Sequence, residues 1–224
     1  MSDDPWYDAT EATHDQVEAY WDTQGRTDRV GFIGQAPGFA CDAWALLPVW
    51  TRTTGILRSS GLSGPLDVAP DGTPSGGERF ELYVEAPAWA DRATVDFLDE
   101  WWTTALLRVM SSYVGTGMLP TIEEHGLLTM AVTDFPERQH ASLAGWLDDD
   151  GRATVGIGRL DTARDGRTID VGWGRESLFP LTPLLPVEVA YLRDTGDRAG
   201  LLSALRRGPT RHWAVAEREP VVRP

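Results

Sequence analysis

"RFELYVEAP", residues 79–87, alternates Phe80, Leu82 and Val84 with Glu81, Tyr83 and Glu85 before stopping at Pro87. A period of two in apolar character predicts a strand with one buried and one wet face. Upstream, "RVGFIGQ", "AWALLPVWT" and "TGILRSS" are rich in β-branched and aromatic residues and are divided by Pro37, Pro48 and Gly55, which predicts further strands. Downstream, Val95, Leu98, Trp102, Ala105, Val109 and Tyr113 recur at helical spacing, which predicts one amphipathic helix over 91–115, about six turns at 3.6 residues per turn. Ten tryptophans are present; Trp102 falls on that stripe and is expected in the core, with Trp101 on its flank.

The same reading extends to both ends of the chain. "TEATHDQVEAYW" predicts a first helix with Thr10 at its N-cap, and "TQGRTD" ends it. "GLLTMAV", "SLAGWL", "ATVGIGRL" and "TIDVGWG" read as strands, with "DDDG" at 148–151 as a hairpin turn. Pro186 suits the first position of a helix, Gly196 its C-terminal cap and Asp197 the N-cap of the next helix, which Gly208 and Pro209 end. "HWAVAE" is expected as a last strand closing the sheet. Helices at the start, middle and end around many strands predict an α/β (α+β) protein, a mixed β-sheet flanked by helices on both faces. Residues 1–49 are expected to supply a helix and first strands that pack on the same domain as the residues that follow, with 220–224 as a tail.

Composition removes several functions. The chain has 224 residues and a formal net charge of -14, a field that repels nucleic-acid phosphates and anionic lipid. All 20 basic residues are arginine, so no lysine is present for a Walker loop, a Schiff base or a kinase site. Cys41 stands alone, which excludes an internal disulfide and any multi-cysteine metal cage. An acidic start and the lack of a long apolar run lead to the expectation of a cytoplasmic protein that does not enter a membrane.

Candidate chemistry is sparse. Ser63 in "RSSGLSGPL" invites comparison with a nucleophile elbow, but Pro65 stands where that motif needs glycine and no helical pattern follows. A strand running into a turn is the better reading. His14 and Glu18, four apart, read as a solvated pair. Glu123, Glu124 and His125 offer three ligand types in a row, yet neighbours on an extended chain point alternately to opposite faces and would not share one ion. His140 and His212 have no recognisable partners. The expectation is therefore no catalytic set, no metal and no cofactor.

The order of "GILRSSGLSGPL", "FELYVEAPAW", "SSYVGTG", "EEHG", "LFPLTPLLPVEVAYLRDTGDRAGLLSALRRG" and "HWAVAERE" resembles the suppressor of fused domain over about residues 50–219. The resemblance implies a mixed sheet with helices and no established catalytic activity. Animal members clamp an extended peptide of Hedgehog-pathway transcription factors, and bacterial members are inferred to be immunity proteins. Matching the family's binding positions implies partner-binding roles for Tyr113, Met118, Glu124 and His125, although glutamate replaces the family's aspartate before the histidine. The expected function is a non-enzymatic protein-binding module, an immunity protein that neutralises a toxin, with a basic toxin domain as partner. The alternatives are a metal-dependent or hydrolytic enzyme using His125 with Glu123 or Glu124, and a housekeeping protein that binds an endogenous regulator.

Overall fold

A computed structural model describes residues 5–28, 31–35, 43–65, 67–90, 100–112, 118–133, 135–160, 168–208 and 212–223. Along the chain lie α1 (Pro5–Gln24), β1 (Arg26–Thr27), β2 (Phe32–Gln35), β3 (Ala43–Trp50), β4 (Gly55–Ser60), β5 (Asp67–Val68), β6 (Pro74–Ser75) and β7 (Phe80–Ala86). Then follow α2 (Trp102–Ser112), α3 (Met118–His125), β8 (Leu127–Val132), β9 (Ala153–Gly158), β10 (Thr168–Asp170), β11 (Arg175–Leu184), α4 (Pro186–Thr195) and α5 (Arg198–Arg206). Among the described residues nine strands form one sheet in the order β1-β3-β4-β7-β11-β9-β8, with β2 also on β3 and β10 also on β11. Of the pairings described within it, only that of β7 with β11 is parallel, so the sheet is mixed.

The opening stretch is a strand, but all seven residues of β7 are buried. Its central position between β4 and β11 explains this, because helices cover both faces there. Phe80, Leu82 and Val84 join Leu57, Phe179, Leu106 and Leu107 in the core under α2. On the opposite face Tyr83 meets Ile56, Leu178, Val17 and Trp21 under α1. A smaller cluster packs α5, through Leu201 and Leu205, against Leu127 and Leu184 at the sheet's far end.

Several sequence-based elements are revised. The first helix is described from Pro5, and Thr10 lies inside it and not at its N-cap, its hydroxyl donating to the Trp6 carbonyl at 2.8 Å. The expected helix over 91–115 is broken before Trp102: Trp101 is not helical, and the Trp102 amide donates to Ser142 Oγ at 2.9 Å. Residues 91–99 and 113–117 lie outside the described residues. Within α2 the buried stripe is Trp102, Leu106, Leu107 and Met110, leaving Val109 39% exposed rather than on the core face.

"SLAGWL" is not a strand. Residues 137–143 form a 3-10 helix, Ser142 Oγ donates to the Gln139 carbonyl, and Gly145 at φ 83° turns the chain. "HWAVAE" forms no strand either; it is tied to the sheet by the Ala214 amide donating to the Glu85 carbonyl at 2.8 Å. Conversely β11, which carries Pro180 and Pro183, is a central strand with no clean strand signal. From residue 178 onward each residue pairs on one side only, with β7 to 180 and β9 from 181, so a proline without an N–H is tolerated. The caps around α4 and α5 follow the sequence: Gly196 is left-handed at φ 67°, and Asp197 accepts from the Gly200 amide at 2.8 Å.

Candidate functional site

At one end of the sheet β8 has β9 on one side and, among the described residues, no strand on the other. Its central residues Leu128, Thr129 and Met130 are half-buried and Ala131 is exposed. An edge strand with free backbone donors and acceptors is a template for an incoming extended chain. The strand is preceded by α3, whose last three residues, Glu123, Glu124 and His125, are all exposed.

Gly126 makes this junction possible. It takes φ 71° and donates to the Ile122 carbonyl at 2.7 Å, closing α3 with a left-handed residue before the chain turns into β8. A Cβ there would meet Leu202 Cδ2 of α5 at 2.8 Å, so that leucine would have to shift to admit a side chain.

The expected binding residues separate into three cases. Glu124 and His125 lie together, with Glu124 Oε2 3.8 Å from His125 Nε2 and both side chains solvated. Met118 is 5% exposed and packed in the core under α2, so it supports the site from below and is not on the accessible face. Tyr113 lies outside the described residues. The "EEHG" segment is helical rather than extended, which turns successive side chains by about 100° instead of alternating them. Among the described residues no three histidine, cysteine, aspartate or glutamate side chains converge as a metal site.

The polar residues missed by sequence reasoning lie inside the protein. Glu81 is fully buried and accepts four hydrogen bonds, from the Ser59 hydroxyl, the Gly61 and Ser63 amides at 3.1 Å each, and the Ser63 hydroxyl at 2.6 Å. Ser63 is therefore a buried donor that folds the turn around a carboxylate, with Gly61 at φ 105° allowing the bend. Glu85 accepts from the Thr54 hydroxyl at 2.6 Å and lies 3.0 Å from His212 Nε2, and His212 is only 2% exposed. His212 thus ties the segment after α5 to the central strand β7.

Glu18 also departs from its expected role. Its carboxylate pairs with the buried guanidinium of Arg58, which stacks 5.7 Å from the Trp21 ring, while His14 lies 3.9 Å from Glu18. Glu188 receives both terminal nitrogens of Arg218, at 2.6 and 2.7 Å, and the amides of Leu185 and Val221. Glu176 differs from all of these. It is fully buried, and among the described residues neither carboxylate oxygen has a hydrogen-bond partner. Burial, and then the nearby charge of Glu81, push its ionisation up to about 8, with Arg79 opposing.

No family model matches the chain, and no curated protein matches it by sequence. Among solved structures, one titled as a suppressor of fused homologue from Neisseria gonorrhoeae FA 1090 superposes with a TM-score of 0.54, covering 96% of this chain and 98% of that one at 12% identity. The chain has a suppressor-of-fused-like fold. At that identity the likeness concerns the fold alone, and the motif order read from the sequence agrees with it. Within this suppressor-of-fused-like sheet, the exposed acidic end of α3 leads directly into the open edge of β8. No described helix is long and apolar enough to cross a membrane.

Proposed function

We propose that the protein is a non-catalytic binding module that captures an extended segment of another protein along β8. The observation that carries this reading is the open β8 edge with Glu123, Glu124 and His125 exposed at its start. Six residues of strand offer about 20 Å of pairing length at ~3.4 Å per residue. Backbone bonds along the edge supply affinity independent of sequence, and the side chains at its entrance select. The net charge of -14 favours a basic partner and raises its encounter rate at low salt. We assign that partner as a basic toxin domain and the protein as its immunity protein, in line with the family resemblance.

Co-expression with toxin domains encoded beside its gene tests the assignment, with survival as the readout. Protection is expected from the native chain. Met130→Pro and Ala131→Pro then test the edge, because successive N–H groups point to opposite sides of a strand and one of the two variants removes an outward donor while sparing β9. That folded variant is expected to lose protection. If it protects fully, the edge is not the binding surface; if no such toxin is neutralised by the native chain, the immunity assignment fails.

A further inference from the structure

Away from β8, a groove of about 550 Å3 opens where β7 ends, between Pro87 and Ala88, the 3-10 helix of residues 137–143 and the segment 214–217. Trp101 and Trp146 line it together with small residues, among them Ala141 and Ala216. Trp101 is half-buried and held edge-on against Trp89, ring centroids 5.4 Å apart, which fixes its position. Three charged residues border the same groove: Glu100, Glu217 and Arg138. Glu100 and Glu217 are exposed and, among the described residues, neither carboxylate has a hydrogen bond or ion pair.

A volume of this size is in the range of sites that enclose a ligand group, and the lining is aromatic and aliphatic with carboxylates at the border. Aromatic rings attract cations over their faces, and long basic side chains lay their methylenes on apolar surface while keeping the charge near water. We propose that this groove receives an arginine side chain of a polypeptide partner, with the stem against Trp101 and the alanines and the guanidinium paired with Glu100 and Glu217. Arginine suits the site because its planar fork matches carboxylates and stacks on rings. Two carboxylates against one guanidinium at the border, on a chain of net charge -14, reject an acidic group in the same place. The inference rests on the protein-binding reading, but not on the β8 edge.

Titration of the full chain with the peptide acetyl-Ala-Ala-Arg-Ala-Ala-amide, followed by NMR through the indole N–H signals of Trp101 and Trp146, tests it. Saturable shifts in the millimolar range are expected, absent when glutamate replaces the peptide's arginine. The double variant Glu100→Gln/Glu217→Gln should weaken binding roughly three- to tenfold, as loss of two exposed charge pairs implies. Equal shifts with the arginine and glutamate peptides, or unchanged affinity in the double variant, would overturn the proposal. The β8 proline variant that stays folded is expected to bind this peptide normally. Loss of protection without loss of peptide binding therefore concerns β8, and the reverse concerns the groove.

Discussion

Phe80, Leu82 and Val84 leave β7 toward α2 and meet a continuous apolar core, whereas Glu81, Tyr83 and Glu85 leave the same strand toward α1 and meet Ser63, Trp21 and His212. One face is held by area removed from water. The other buries charge, which lowers stability unless every carboxylate oxygen finds a donor. Glu81 and Glu176 divide that second face further: among the described residues the first has four donors and the second has none. Specific geometry is thus concentrated under α1, and generic cohesion under α2.

The strongest way to break this contrast is to remove each kind of residue in turn. Glu81→Leu strands four buried donors and is expected to cost about 4 kcal/mol, measured by urea denaturation. Leu82→Ala on the opposite face should cost about 3 kcal/mol, through lost burial and the cavity left behind. A larger loss from Leu82→Ala than from Glu81→Leu would show that the polar face contributes little to the fold.

Glu176 sharpens the comparison through pH. In the folded protein it ionises near 8 rather than near 4.5, so the unfolded chain releases this proton first. Its contribution to stability is whole below pH 4.5, falls as pH rises, and levels off above about 8. At ~1.36 kcal/mol per unit, the deficit at pH 7 is about 3 kcal/mol. Glu176→Gln should therefore raise stability at pH 7 by about 2–3 kcal/mol and leave it unchanged near pH 4, so that the native and variant curves converge on acidification. Parallel curves would mean that Glu176 is ionised in the folded state.

The smallest effect on folding belongs to the proposed entrance. Glu124→Gln and His125→Ala, both at exposed positions, should change stability by less than about 0.5 kcal/mol. Their effect is expected in partner affinity, read by calorimetry once a partner is in hand, so they separate binding from folding.

What the chain discloses by itself follows the range of the interactions. Local signals were legible: the alternation of β7, the Pro186 and Gly196 bounds of α4, the Asp197 cap, and the turn at 148–151, where Asp148 accepts from the Asp150 and Arg152 amides. Glu124 and His125, singled out through the family resemblance, lie exposed at the end of α3. The partners of the buried charges were not, because Glu85 and His212 are 127 positions apart and Glu18 and Arg58 are 40 apart. Alternation made Glu81 and Glu85 read as solvent-facing, and only the sheet order places a helix over them. The prolines of β11 hid a central strand for a similar reason: one-sided pairing is a property of its neighbours and not of its own residues.

The C-terminal segment reaches back to two interior acids, His212 to Glu85 and Arg218 to Glu188. Glu85 already accepts from Thr54 and Glu188 from the Leu185 amide, and the later segment adds the partners that complete each carboxylate's set, 127 and 30 residues further along the chain. Residues 212–221 thus act as a clasp, set on interior acids of a fold whose described strands all precede it in the chain.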